Sequence, residues 1–310
     1  MFDRDLSAQP DQVSPERPRE SRLWDVLLIL VMLLGAYFRF TGIDWGESQY
    51  LHPDERFFVW VTADISEVNS LSEFFDTATS TMNPHNTGHT FYVYGTLPVF
   101  ATRILTDALV ENPGWDDLLL VGRSLGAVCD LLTVFLVYLM GRRLFNRKVG
   151  VLGAAFSAAA VMQIQQAHFY VSDSFAVAFA NLALYFAICL ATEPFRPHEA
   201  EGRSRVPQAT TRSYALWFGL AIGMAMACKV NTALMALLLP IAILLRYLHI
   251  PADQRQHQEQ FVLRDLAVSA VVAFIAFRIF QPYAFQGPGF FGIGINDKWV
   301  QNLRDLAAQT

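Results

Sequence analysis

Residues 118–140 read LLLVGRSLGAVCDLLTVFLVYLM, a long apolar stretch with one acid, Asp130, near its middle and one base, Arg123, near its start. A bilayer core about 30 Å thick takes about 20 helical residues to cross, so this stretch commits the chain to a membrane. The rest of the sequence is organised in the same way. Of 310 residues 53% are hydrophobic and 16% charged, and the apolar ones are gathered into blocks separated by short polar loops. Working outward from 118–140, seven blocks can be drawn: 24–43, 118–140, 149–164, 175–191, 214–227, 231–245 and 266–280. The expected fold is all-α, a polytopic transmembrane protein of about seven spans. The fifth and sixth blocks together would make a helix of about 48 Å, too long for one crossing and short for two full ones. A hairpin turning at Lys229-Val230-Asn231, recessed below the surface, fits best.

The net charge of -5 says little, because in a membrane protein the position of basic residues matters more than their sum. Arg4, Arg17, Arg19 and Arg22 precede the first block, and Arg142, Arg143, Arg147 and Lys148 connect the second to the third. Arg196, Arg203, Arg205 and Arg212 lie between the fourth and fifth, and Arg246, Arg255 and Arg264 between the sixth and seventh. These alternate connections should be cytoplasmic, which puts the N-terminus inside and the loop 44–117 outside, in an arrangement suited to a bacterial inner (plasma) membrane. Residues 1–22, polar and Pro-rich, read as a disordered cytoplasmic tail before an uncleaved first span, and 23–310 as one membrane domain.

The outward loop 44–117 is too long for a connector and too apolar for a free one, since it holds Phe57, Phe58, Trp60, Val61, Ile65, Leu71, Phe74 and Phe75. Interfacial amphipathic helices explain that spacing. The stretch 89–109, broken by Pro98 and Arg103, reads as interfacial or re-entrant, because an eighth span would invert every later loop against the basic-residue bias. Cys129, Cys189 and Cys228 lie inside apolar blocks with no CxxC pair and read as packing residues. No P-loop, GxGxxG or HExxH motif supports a nucleotide-binding or metallopeptidase mechanism, and no nucleic-acid partner is expected.

Chemistry is to be sought in the acidic run His52-Pro53-Asp54-Glu55. Pro53 at a first helical position places Asp54 and Glu55 in the first turn, where the dipole favours carboxylates. Neighbours on a helix point about 100° apart, so one acid can face a cavity while the other orients it or a neighbouring Arg. A carboxylate held anionic at a membrane surface suits a general base for a hydroxyl; plain helix capping accounts for the same spacing. A second acid, Asp173, stands at the start of the fourth block, with Ser172 as an expected cap and Gln165, Gln166, His168 and Tyr170 crowded before it. Arg39, Arg56, Arg123, Lys229 and Arg278 lie near the outer boundary and read either as anchors paired with Asp44, Asp54 or Asp173, or jointly as a pocket for a lipid-linked phosphate. Lys229 stands apart from other charges in its turn, where an ammonium calls for an anion. Asp130 supports a different class, a secondary transporter with an intramembrane carboxylate, unless a neighbouring helix supplies it a partner. A non-catalytic scaffold whose outer loop binds a partner is a third reading.

Tyr50-Leu51-His52-Pro53-Asp54-Glu55-Arg56-Phe57 after the first block resembles the acidic motif of membrane glycosyltransferases of the GT-C class, in the branch similar to protein mannosyltransferases and aminoarabinose transferases. Asn83-Pro84, Tyr94-Gly95-Thr96-Leu97-Pro98, Val121-Gly122-Arg123, the run 168–173, Lys229-Val230-Asn231 and Gln281-Pro282-Tyr283-Ala284-Phe285 extend the likeness over nearly the whole chain from Trp24. The resemblance implies a sugar carried on a polyprenyl phosphate and moved on the outward face, with inversion, to a hydroxyl of a glycan, lipid or protein acceptor. By that likeness Asp54 is the base and Glu55 its support, and Lys229, Arg278, Arg56, Arg123 and His168 hold the departing phosphate. Asp173 corresponds to a second acidic site that helps bind a divalent ion in the oligosaccharyl branch; in the mannosyltransferase-like branch no metal or other cofactor is expected. Members usually continue beyond seven spans, so the chain reads as an N-terminal catalytic part truncated at Thr310.

Overall fold

The computed structural model describes residues 19–194, 206–250, 255 and 259–309. Of the expected tail, 1–18 falls outside these residues, as do Arg196, Arg203 and Arg205; Arg19 and Arg22 are already helical. In chain order the helices are α1 (Arg19–Phe40), α2 (Pro53–Asp64), α3 (Leu71–Phe74), α4 (Leu97–Leu109), α5 (Trp115–Leu144) and α6 (Arg147–Ala158). They continue as α7 (Val161–Ala167), α8 (Ser172–Ala191), α9 (Val206–Met226), α10 (Leu238–His249), α11 (Glu259–Phe280) and α12 (Asp297–Gln309). Short 3₁₀ segments occupy Pro84–Asn86, Val230–Leu237 and Pro282–Ala284. The fold is all-α: among the described residues there is one isolated bridge, Phe285 to Ile295, and no strand.

Every one of the seven apolar blocks is helical. By length and composition four segments can cross a membrane, Arg22–Phe40, Trp115–Leu144, Ser172–Ala191 and Val230–His249, and α6 with α7, bent by 60°, makes five if counted as one. The fifth and seventh blocks, in α9 and α11, are not among these: α11 carries Arg264, Asp265 and Arg278 along its length, and α9 opens on the polar run 208–213. They still pack tightly on each other, because Gly219 and Gly223 leave no side chain between the backbones; a Cβ there would stand 2.4 Å from the Ser269 carbonyl and 2.5 Å from that of Ala273. Small residues at such crossings allow the close approach on which apolar helices depend when water does not drive them together.

Helix α5 is the central strut. Asp116 and Asp117 sit in its first turn, where the Gly114 N–H donates to the Asp117 carboxylate at 2.8 Å, and Arg142 and Arg143 in its last, so charge matches the dipole at both ends. The expected pairing of Arg39 with an acid of the outer loop is not what the structure has. Arg39, fully buried, binds Asp130 of α5 and also donates to the carbonyls of Gly35, Ala158 and Ser157. At the break between α6 and α7 the Ala158 carbonyl has no backbone donor of its own while that of Ser157 still accepts from Ala160, and the guanidinium reaches both, tying α1 to α5 and the bend. Asp130 thus has its partner on a neighbouring helix, and the transporter reading loses the unpaired acid on which it rested.

The long first loop contributes no span. Helix α4 has 13 residues, about 20 Å, with its whole first turn, Leu97–Phe100, buried and Thr102 and Thr106 buried beyond it. Together α2, α4, residues 170–176, Ala227-Cys228 and the segment around Tyr283 enclose the largest apolar core, at one end of the bundle. Two smaller cores lie between α8, α9, α10 and α11, and between α1, α5 and α6.

Candidate active site

Helix α2 begins where the sequence requires: Pro53 is its first residue, the His52 Nδ1 accepts from the Glu55 N–H at 3.4 Å, and Asp54 and Glu55 fill the first turn. Their side chains diverge. Glu55 is 0% exposed and points into the bundle, while Asp54 is half-buried at its surface.

Glu55 meets Arg123 of α5 in a two-pronged pair, Nε to Oε1 and Nη2 to Oε2, both 2.8 Å. Arg123 is 2% exposed, gives Nη1 to the carbonyls of Ile43 and Trp45, and lies over the Trp45 ring at 4.9 Å. Glu55 Oε1 also accepts the Tyr170 N–H at 2.8 Å. Beneath it the Tyr170 ring lies on bare backbone, since a Cβ on Gly122 would come within 2.4 Å of it, and the Tyr170 hydroxyl reaches Thr62 of α2 at 2.9 Å. Burial pushes the Tyr170 phenol well above its usual range. This buried network joins α2, α5 and the entry to α8.

On the exposed side, Asp173 stands in the first turn of α8 and accepts from Lys229 Nζ at 2.7 Å, with both side chains partly open to solvent. Val171, not Ser172, occupies the cap of α8, and the Ser172 hydroxyl makes no cap bond. Lys229 directly follows Cys228, whose carbonyl accepts the Gly95 N–H at 3.0 Å, and Ala227 accepts from Leu97 at 3.2 Å. The contact is backbone on backbone: a Cβ at Gly95 would stand 1.9 Å from the Ala227 oxygen. Gly95→Ala is therefore expected to force the segment away from the Lys229 turn at a cost of about 1–3 kcal/mol, read as a lowered unfolding midpoint in detergent; an unchanged midpoint would show the turn free to shift.

Next to Gly95, Tyr94 feels both acids: burial first, then the charge of Asp54, then that of Asp173 push its phenol pKa up to about 12. Thr96 is fixed as well, its N–H and hydroxyl donating to Gln281 Oε1 at 2.6 and 2.7 Å. Asp54, Asp173 and Lys229 thus converge around one tyrosine. In the sequence Tyr94 stands in the run Tyr94-Gly95-Thr96-Leu97-Pro98 that carries part of the GT-C likeness, with no role of its own assigned.

Other expected members stand elsewhere. Arg123 has spent its guanidinium on Glu55 and two carbonyls, so burial and pairing leave it nothing to offer a phosphate. Arg278 is 0% exposed and donates to the carbonyls of Pro282, Gly289 and Phe290, under the rings of Phe75, Phe285 and Phe290. It holds the 282–290 loop instead of facing the acids. His168 turns Nδ1 to the Ile164 carbonyl at 2.7 Å and Nε2 to that of Thr41 at 3.1 Å, and Gln165 and Gln166 are exposed. Arg56 is exposed at an apolar groove of about 510 Å³ lined with Pro53, Phe57, Trp60 and Trp115. No group of three metal-binding side chains occurs among the described residues.

Comparison with known proteins agrees with the motif resemblance to GT-C enzymes. Residues 115–198 match the family model described as dolichyl-phosphate-mannose-protein mannosyltransferase. That interval carries Arg123, Tyr170 and Asp173. The crystal structure of an apo oligosaccharyltransferase from Archaeoglobus fulgidus superposes on 92% of this chain with a TM-score of 0.56 at 17% identity, so the fold is shared. The chain spans only 32% of that enzyme's length. No curated protein matches the sequence.

Proposed function

We infer that the chain carries the catalytic part of a glycosyltransferase that moves a sugar from a polyprenyl-phosphate carrier to an acceptor hydroxyl on the outward face of the membrane. The observation that carries this reading is the convergence of a half-buried acid without an ion pair among the described residues, Asp54, and a separate Asp173–Lys229 pair around Tyr94, at the bundle end bearing α2 and α4. The match of 115–198 to a family of lipid-phosphate-dependent mannosyltransferases supplies the reaction class.

Asp54 removes the proton of the acceptor hydroxyl as that oxygen bonds to the anomeric carbon from the side opposite the phosphate. The sugar–oxygen bond to the phosphate breaks in the same displacement, with inversion, and the carrier leaves as an anion. Lys229 meets that charge. An ammonium has three donors, of which Asp173 takes one at 2.7 Å, and the side chain is partly open. Arg56, on the same helix as Asp54 and beside an apolar groove, is placed to steer the anionic lipid. Glu55 and Arg123 act as scaffold beneath.

The test uses the full chain in proteoliposomes with a polyprenyl-phosphate-linked sugar and a nucleotide sugar in parallel. Transfer from the lipid-linked donor alone is expected. Lys229→Ala should then lower kcat by about 10²–10³, the loss typical of one donor at a developing anion. Transfer from the nucleotide sugar, or an unaffected Lys229→Ala chain, rules out the proposed phosphate site.

A further inference from the structure

Arg246 lies half-buried in the last turn of α10, and it borders a crevice between α8, α10 and α11 lined with Leu190, Ile243, Tyr247, Phe261, Val262 and Asp265. The crevice is far from the acids of the candidate site: Asp173 stands in the first turn of α8 and Leu190 near its last residue, about 26 Å further along the helix. Arg39, Arg123, Lys229 and Arg278 each have an acid or carbonyls as partners. Arg246 has neither. Its Nε is shut off from solvent without a hydrogen-bond partner, and among the described residues the side chain forms no ion pair. Asp265, the acid of the crevice, is already held by Arg264, whose Nε and Nη2 donate to its Oδ1 at 2.9 and 2.6 Å. Glu193, just past α8, takes Arg143 at 3.1 Å. A guanidinium drawn out of water among apolar side chains calls for a counter-charge.

The surroundings say what kind of anion fits. Arg255 lies over the Tyr247 ring at 5.5 Å and Arg264 over the Phe261 ring at 5.1 Å, so three guanidinium groups stand at this crevice against one acid. Arg255 gives Nε and one Nη2 proton to the carbonyls of Ile250 and Leu248, two of its five N–H groups. Leu245 and Leu248 of α10 and Leu263 of α11 are exposed alongside, an apolar surface of the kind acyl chains cover. The crevice itself is about 20 Å³, close to the room one water takes, so a phosphate has to sit at its mouth. We propose that this mouth binds the phosphate of an anionic phospholipid, in the leaflet opposite the end that bears Asp54 and Asp173, with Arg246 as its counter-charge and Arg255 as a second donor. Planar guanidinium N–H pairs match phosphate oxygens, and basic pockets between membrane helices suit phospholipid head groups. The site is independent of the sugar-transfer reading, and its test needs neither donor nor acceptor.

The full chain in phosphatidylcholine nanodiscs, probed with spin-labelled phosphatidylglycerol or spin-labelled phosphatidylcholine, gives the relative affinity for the anionic lipid from the motionally restricted fraction. The wild type should favour phosphatidylglycerol by about 10-fold, and Arg246→Gln should lower that preference by about 5-fold, the worth of one basic residue at an anionic head group. Arg142→Gln removes an exposed arginine in the last turn of α5, at the same end of the bundle, and should leave the preference unchanged. In delipidated maltoside detergent, which carries no phosphate, Arg246→Gln should unfold no earlier than the wild type, because there the guanidinium has no partner to lose. Adding phosphatidylglycerol should then raise the wild-type midpoint and leave that of the variant in place. Equal losses from Arg246→Gln and Arg142→Gln would reduce the preference to general surface charge. A lowered midpoint of Arg246→Gln in maltoside would show that a protein group already serves the guanidinium, and displacement of the labelled lipid by soluble glycerol phosphate would show that no lipid is required. Each of these results overturns the proposal.

Discussion

Asp54→Asn should reduce sugar transfer by at least about 10³-fold while the chain inserts in the membrane and unfolds as the wild type does. The amide is nearly the size and shape of the carboxylate and still accepts a hydrogen bond, so the first turn of α2 is preserved; what it lacks is the capacity to take up a proton. General-base catalysis is typically worth 10² to 10⁴ in rate. The loss should sit at the upper end here, because Glu55, the neighbouring carboxylate, is directed into the bundle and locked by Arg123, and Asp173 is held by Lys229. Neither is placed to substitute. The measurement is single-turnover transfer from a polyprenyl-phosphate-linked donor, with donor binding followed separately, and donor affinity should change little. Transfer at the wild-type rate would remove Asp54 from the chemistry and leave its position in the first turn as helix capping alone.

How far the site was legible in the sequence depends on which part is considered. Local signals carried through: Pro53 with two acids after it does open a helix, Lys229 does sit in a turn between helical segments, and Asp173 does enter the first turn of α8. All seven apolar blocks became helical, since a helix satisfies the backbone within its own segment wherever water is excluded. Pairing was the part that sequence left open. Arg39, Arg123, Lys229 and Arg278 all look alike as single cations beside apolar blocks, yet one binds an acid 91 positions away, one an acid 68 positions away, one an acid 56 positions away, and the last three carbonyls and three rings. Which acid meets which base is set by how α1, α5, α8 and α9 cross, and no periodicity within one helix encodes that. Tyr94 was singled out only as part of a motif, without a role, for a related reason. An aromatic in an apolar run reads as packing, and its nearness to the Lys229 turn comes from the backbone contact of Gly95 with Cys228, which no local pattern encodes.

The same long-range pairing leads to the second large effect. Glu55→Gln or Arg123→Met alone should destabilise the chain by about 3–5 kcal/mol, since either change strands a buried charge opposite a neutral group. The exposure values, 0% for Glu55 and 2% for Arg123, leave water no access to compensate. Glu55→Gln also weakens acceptance from the Tyr170 N–H, and Arg123→Met also strips the carbonyls of Ile43 and Trp45 of their donor. The double variant Glu55→Gln/Arg123→Met should recover part of the loss, because no unpaired charge then remains, and midpoints of thermal unfolding in detergent give the coupling from the four chains. Catalysis should follow stability with an additional penalty: this pair ties the first turn of α2 to α5, and Asp54 rides on the same helical turn as Glu55, so a shift of the turn by about 1 Å is enough to lower transfer by about 10²-fold. If Glu55→Gln unfolds at the wild-type midpoint, the buried pair does not anchor α2. The position of Asp54 must then come from the aromatic contacts of Phe57 and Phe58 with Tyr94 and Tyr170.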